Sequence, residues 1–318
     1  MASRPLNPLT IPALAIVRFP GRMPPIWLAL GILIAVDVAW LLASPLRLSS
    51  ATWQVLAGLL PLIMVGAWGK YRVTNSPRLE MLIGGLTFLL CAWPAMRLYN
   101  HLTMSTGYPL ADETLARADQ LLGFNWTEYV SWLDRHKALT QLMDLSYSSL
   151  TGYTIVLFLC LLLGRQPKQR CQELIALFLS TGIICSTIGM FFPAEAAAVF
   201  YQVSPEMLRN VDPRVGAYHI DHLQALRTDP GHILTLNNLP GLVTFPSFHT
   251  AMGIIAIYCA RGTPWLFWPS LTINLTMIAS TPLFGSHYLV DVIAGAAVSI
   301  GVILSLRYFS PSPTRVQG

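Results

Sequence analysis

Long apolar runs recur along this 318-residue chain and constrain its fold more than any other feature. An α-helix rises about 1.5 Å per residue, so about 20 apolar residues cross a hydrocarbon core of roughly 30 Å. The sequence therefore predicts an all-α, polytopic membrane helical bundle of about eight transmembrane helices. The predicted spans are 26–45, 52–69, 79–99, 143–164, 171–192, 248–262, 264–282 and 288–307. The sixth is short, and it spans a membrane only if it begins within a recessed site or continues below its last apolar residue.

Composition supports the bilayer as the main solvent. Apolar residues make up 54% of the chain and charged residues only 11%, whereas a soluble domain has about 25% charged residues. The net charge of +5 is scattered and forms no basic run, which argues against a nucleic-acid partner. The five cysteines show no metal-binding spacing and are interpreted as packing residues.

Basic residues set the expected orientation. Lys70, Arg72 and Arg78 follow the second predicted span, and Arg165, Lys168 and Arg170 follow the fourth. Because short loops rich in Lys and Arg stay in the cytoplasm, both termini are predicted to be cytoplasmic. The two long loops, 100–142 and 193–247, are then outside, and loops of such length are often functional.

The first long loop has features of a membrane-surface segment. Apolar residues recur at helical spacing between Ala111 and Trp126, behind the acidic pair Asp112 and Glu113. This pattern predicts an interfacial helix. The aromatic residues Trp126, Tyr129 and Trp132 are interpreted as a belt in the lipid headgroup layer.

The first polar cluster precedes the sixth span and reads Thr244-Phe-Pro-Ser-Phe-His-Thr250. Pro246 favours an extended approach, and Ser247 is a suitable N-cap for the helix that follows. The unpaired N–H groups at such a helix end favour an anion. The sequence therefore predicts a phosphate site beside His249.

The second polar cluster lies between the seventh and eighth spans, where His287 and Asp291 are four residues apart. On a helix this spacing puts both side chains on one face, so the carboxylate can accept from one ring nitrogen and leave the other basic. Such a histidine can act as a nucleophile. The predicted topology places His249 at the same membrane face, where it could protonate a leaving alkoxide and later activate an acceptor.

At these residues the chain resembles the type 2 phosphatidic acid phosphatase superfamily, over roughly 95–308. The second motif of that family, P-S-x-H, is matched by Pro246 to His249, and its third, S-R-x5-H-x3-D, is matched by Ser280, His287 and Asp291. Within the superfamily the chain is most similar to the aureobasidin-resistance branch, which includes inositol phosphorylceramide synthases.

The resemblance implies roles for the matched residues. His287 is the nucleophile that forms a phosphohistidine, Asp291 orients it, and His249 is the acid and base. Ser247 and Ser280 are phosphate-binding residues. The reaction needs no metal and no cofactor. The substrates are membrane lipids, with a lipid or polyol as possible acceptor. Residues 76–318 form the catalytic membrane core, and residues 1–75 add an N-terminal tail and a transmembrane hairpin.

The chain departs from the family pattern at two positions where basic residues would hold the phosphate. Thr281 stands where the third motif has Arg, which favours the synthase-like branch, and no K-x6-R-P motif precedes the fourth span. A cation is still expected at the phosphate, because Arg matches its oxygens in a planar fork. Arg227 is the preferred candidate, and Thr281 is a further phosphate contact. The remaining candidates are Arg97, Arg135 and Lys137.

Other functions remain open at this point. A zinc site could be formed by His219, Asp221, His222 and His232, although their spacing matches no familiar template. A transporter would need a relay of buried charges, of which the spans contain few. A non-catalytic lipid-binding protein is the third class. The sequence favours a metal-independent lipid phosphatase or phosphotransferase, or an inositol phosphorylceramide synthase-like headgroup transferase, with its site on the extracytoplasmic face.

Overall fold

The computed structural model describes residues 24–72, 76–164, 167–204, 207–212, 215–236 and 239–309. Arg165, one of the basic residues used to predict the orientation, lies outside these residues. The expected all-α fold is confirmed for the described part of the chain. Its helices are α1 Pro24–Ala43, α2 Ser50–Arg72, α3 Pro77–Met104, α4 Asp112–Leu121, α5 Trp126–Asp134, α6 Lys137–Ser148, α7 Leu150–Leu163, α8 Pro167–Phe191, α9 Ala197–Phe200, α10 Ile220–Thr228, α11 Phe248–Ala260, α12 Pro264–Phe284 and α13 Leu289–Phe309.

Fewer helices than expected are long and apolar enough to cross a membrane. Among the described residues five qualify, namely α1, α2, α3, α8 and α13, and the pair α6 and α7 makes a sixth if it is one broken span. The helix α11 has only 13 residues. The helix α12 has 21 residues, but it contains the buried polar residues Ser270 and Asn274 and is not among the candidate spans. The prediction of an integral membrane protein therefore stands on five or six candidate spans, and the count of eight is not confirmed.

The fourth predicted span is bent by 59° where α6 meets α7. Two serines on the approach to this bend donate to the backbone of their own helix, Ser146 to the Leu142 carbonyl and Ser149 to the Ser146 carbonyl. Such local bonds are typical of bent helices. The first of the two helices, α6, consequently leaves the direction of α7 and packs against α12.

The centre of the bundle is α8, which contacts α3, α7, α11 and α13. A cluster of buried apolar residues joins these helices, including Phe88, Leu177 and Ile255. The helices α1 and α2 pack against α3. The division of the chain at residue 75 remains a prediction.

The two long loops are folded against the same end of the bundle as the polar clusters. The first loop supplies α4, which begins at Asp112 as the sequence predicts. In the second loop, strand β2 (Ile233–Leu234) pairs in parallel with β1 (Arg47–Leu48). Thr52 of α2 reinforces this pairing, because its hydroxyl donates to the Leu234 carbonyl and accepts from the Leu236 N–H. The N-terminal hairpin thereby anchors the segment that leads into the first polar cluster.

Candidate active site

Three helix ends meet where the two polar clusters come together. The helix α11 begins just after Ser247, α12 ends at Phe284, and α13 begins at Leu289. The Ser247 N–H donates to the Asp291 carbonyl over 3.0 Å, which ties the start of α11 directly to α13. The structure thus brings the His249 and His287 segments to one place.

His287 and Asp291 are in contact, with 3.2 Å between Nδ1 and Oδ2. The contact does not arise from one face of a helix as the sequence argument assumes, because His287 precedes α13. Asp291 instead reaches back to the helix start, where Oδ2 also accepts from the Tyr288 N–H over 3.0 Å. This is the acidic half of a capping box, with Tyr288 as the N-cap. Both side chains are buried, at 4% and 0% exposure of the residue.

Burial governs the charge state of His287. It lowers the pKa of His287 to about 4, although a hydrogen bond with the Thr244 carbonyl acts in the opposite direction. At neutral pH the imidazole is therefore uncharged. In the tautomer that carries its proton on Nδ1, directed at Asp291, the ring presents Nε2 as a lone-pair donor.

The start of α11 remains open to an anion. Ser247 caps it as expected, since its hydroxyl accepts from the Thr250 N–H over 3.3 Å. The N–H groups of Phe248 and His249 have no hydrogen-bond partner among the described residues. The start of α13 differs, because Asp119 already accepts from Leu289 N and Val290 N, each over 2.8 Å. Of the two helix ends, only that of α11 can offer two free donors to a phosphate.

Trp126 corrects the aromatic-belt interpretation. It is 2% exposed, and its indole N–H donates to the carbonyls of Pro282 and His287. A belt residue would keep its polar edge at the water surface. Trp126 instead lies beneath the turn that carries His287 and fixes the backbone of that turn, while Trp132, at 44% exposure, remains at the surface.

Two acidic residues of the first loop also support the site, and sequence reasoning missed them. Asp112 accepts from the hydroxyl of Tyr288 over 2.9 Å and from the N–H groups of Glu195 and Ala196. Asp119 caps α13 as described above. Their acidic character was visible in the sequence, but partners some 170 positions away leave no local pattern.

The predicted phosphate contacts on α12 point back into that helix. The hydroxyl of Ser280 donates to the Met277 carbonyl, and that of Thr281 donates to the Ile278 carbonyl. Both residues are fully buried. Their assignment as phosphate ligands stays a prediction, and it requires these hydroxyls to turn their protons from the helix carbonyls to the phosphate oxygens.

Among the described residues, no candidate cation has a hydrogen bond with His249 or His287. Arg227 donates to the carbonyls of Thr106 and Tyr108. Arg97 donates to the Leu239 carbonyl and packs over the ring of Trp93. The others, Arg135 and Lys137, are exposed at the junction of α5 and α6. Which of them, if any, holds the phosphate stays a prediction.

The histidines of the second loop do not converge. His219 is 3% exposed and its Nε2 lies 3.0 Å from the Glu195 carbonyl, whereas His222 and His232 are partly exposed. No group of three metal-ligating side chains occurs in the part of the chain that the structure describes.

Two buried histidines predict a loss of stability in mild acid. Burial lowers the pKa of both His219 and His287 to about 4, against 6.5 for an ordinary histidine. Between these values the unfolded chain binds protons that the folded chain does not. The free energy of unfolding should therefore fall as pH falls from 6.5 towards 4, by up to about 1.4 kcal/mol per pH unit for each group.

Thermal unfolding of the purified protein between pH 7.5 and 5 measures this effect. The midpoint should decrease with acid, and the decrease should be smaller in His219→Gln. A wild-type midpoint that does not change over this range would show that neither histidine is held neutral.

The geometry can be compared with known families. A family model described as the PAP2 superfamily matches residues 113–305, which is more than half of the chain and includes both polar clusters. No curated protein and no solved structure is significantly similar to the chain.

Proposed function

The chain belongs to the PAP2 superfamily, whose members are phosphatases and phosphotransferases, and we propose that it acts on a membrane lipid phosphate without a metal ion, through a phosphohistidine on His287. One observation carries this proposal. A neutral, carboxylate-paired imidazole lies beside a second histidine at a helix start with free N–H groups. The imidazole of His287 is suited to attack phosphorus, and the start of α11 is suited to hold an anion.

The proposed reaction has two halves. The Nε2 of His287 attacks phosphorus and the bond from phosphorus to the leaving oxygen breaks. His249 gives its proton to that oxygen from its imidazolium form, which the negative charge of the bound phosphate favours. Asp291 stabilises the positive charge that develops on the His287 ring. Water or an alcohol then attacks the phosphohistidine, the P–N bond breaks, and the proton of the attacking group passes to His249.

The acceptor distinguishes the two forms of the proposal. Water gives a phosphatase, and a lipid or polyol alcohol gives a transferase of the aureobasidin-resistance type that Thr281 favours. Adding diacylglycerol, ceramide or inositol to the assay below decides between them. Formation of a new phospholipid faster than phosphate release supports the transferase, and release alone supports the phosphatase.

The function is tested with purified protein in detergent, a chelator of divalent metals, and short-chain phosphatidic acid, a lipid pyrophosphate or a lipid phosphodiester. At least one of these should yield free phosphate or a transferred headgroup, and a labelled phosphoryl group should be recovered on histidine, stable to alkali and labile to acid. Failure of all three substrates, with and without acceptor, would contradict an enzymatic role and favour a non-catalytic lipid-binding protein.

We also propose that the site opens on the extracytoplasmic face, because the basic segments around Arg78 and Lys168 lie at the ends of α3 and α8 that are away from the site. A cysteine introduced at the exposed Thr228 of α10 should react with a membrane-impermeant maleimide added to intact cells. The control is a cysteine introduced in place of Lys168, at the other end of α8. It should react only after lysis. The reverse pattern would place the site on the cytoplasmic face.

A further inference from the structure

Tyr147 of α6 lies directly against His249. The two rings are stacked, with centroids 4.2 Å apart and planes inclined by 12°. The phenol oxygen is 3.5 Å from Nδ1 of His249, at the outer limit of a hydrogen bond. The stacking sets the plane of the imidazole, and so weak a contact leaves the phenol proton available to another acceptor.

The same hydroxyl also faces His287, across the space next to Gly285. A Cβ atom at position 285 would lie 2.8 Å from the Tyr147 oxygen and 3.0 Å from Nε2 of His287. Because residue 285 is glycine, this space holds no side chain. The phenol oxygen and the proposed nucleophilic nitrogen therefore border one small volume.

The two hydroxyls of α12 that are predicted to hold the phosphate already have other partners. The hydroxyls of Ser280 and Thr281 donate to carbonyls of their own helix. Within the described residues, neither histidine has a hydrogen bond with a Lys or Arg side chain. A phosphoryl group in transfer carries charge on its three equatorial oxygens and needs donors directed at them.

We propose that Tyr147 is a catalytic residue whose hydroxyl donates a hydrogen bond to an equatorial oxygen of the phosphoryl group. This inference rests on the proposed function. As Nε2 of His287 forms its bond to phosphorus and the leaving oxygen departs with the proton from His249, the phenol keeps its own proton and stabilises the charge on the transferring group. It does the same when the acceptor oxygen breaks the P–N bond.

The test is Tyr147→Phe, which keeps the stacked ring and removes only the hydroxyl. We expect kcat to fall about 100-fold, as for the loss of one donor to a transition-state oxygen. Orthovanadate mimics the five-coordinate phosphorus, so its inhibition constant should rise about tenfold. The matched control is Tyr153→Phe, one helix on in α7, which removes a hydroxyl from the central cluster and should retain both values.

The outcomes separate the two proposals. If Tyr147→Phe matches wild type in kcat and in vanadate inhibition while His287→Ala is inactive, the role of Tyr147 is overturned and the proposed function stands. If His287→Ala keeps wild-type activity, the proposed function itself fails. Should Tyr147→Phe unfold, fluorotyrosine at position 147 keeps the ring and changes only the acidity of its hydroxyl, and an unchanged kcat in that protein would overturn the inference.

Discussion

Alanine in place of His287 should lower kcat/KM by a factor on the order of 10⁴ or more, because removal of a covalent nucleophile eliminates the chemical path itself. His249 cannot substitute for it, since His249 stacks on Tyr147 and has no carboxylate partner within the described residues. The measurement is phosphate release or headgroup transfer in the metal-free assay, together with the amount of phosphohistidine recovered.

The control for this variant is His136→Ala. His136 is an exposed histidine at the start of α6, and its Nδ1 contacts only the Trp132 carbonyl of the preceding turn. It should keep wild-type activity. Imidazole added to His287→Gly should restore part of the rate, which excludes misfolding as the cause of the loss. Activity of His287→Ala equal to that of His136→Ala would exclude the phosphohistidine mechanism.

Local sequence patterns predicted the two segments that the structure brings together. Pro246, Ser247 and His249 mark the start of a helix, and the spacing of His287 and Asp291 identifies a contact that the structure contains. The geometry of the His287–Asp291 contact differs from the one predicted, because Asp291 reaches back across the helix start and the two residues do not share a helix face. Spacing by four residues is compatible with both geometries, so sequence alone does not distinguish them.

Local patterns could not predict the contacts that first-loop residues make with the turn carrying His287. Trp126 and Asp119 lie in the first loop, and their partners at positions 282 to 290 belong to the last two helices. From sequence alone, a tryptophan in a long loop is interpreted as part of an aromatic belt in the headgroup layer, and an aspartate there as a solvent-exposed charge. Only the packing of that loop over the bundle end shows that these residues fix the turn that carries His287.

The expected count of eight spans is not confirmed because α11 and α12 do not qualify, and the bend in the fourth span is a separate departure from the prediction. Hydropathy over about 20 residues does not register a bend, so α6 and α7 were read as one helix. The bend has a consequence for the site. It directs α6 towards α12, and Tyr147 of α6 stacks on His249.

Alanine in place of Gly295 should lower kcat about 100-fold, although Gly295 touches no reacting group. A Cβ at this position of α13 would overlap the Ser247 carbonyl oxygen and lie 3.1 Å from its carbonyl carbon. Backbone atoms cannot rotate away, so α11 and α13 must separate. That movement lengthens the bond from Ser247 N–H to the Asp291 carbonyl and shifts His249 relative to His287, and errors of about 1 Å in such geometry cost about 100-fold in rate.

Gly301→Ala is the matched control for this variant, because Gly301 lies on the same helix and a Cβ there meets no atom within 4 Å. It should keep wild-type activity and thermal stability, whereas Gly295→Ala should lose both. Equal activity in the two variants would show that the close approach of α11 and α13 does not set the spacing of the histidines. Loss of stability in Gly295→Ala with full activity would lead to the same conclusion, since the site would then tolerate the separation of its two helices.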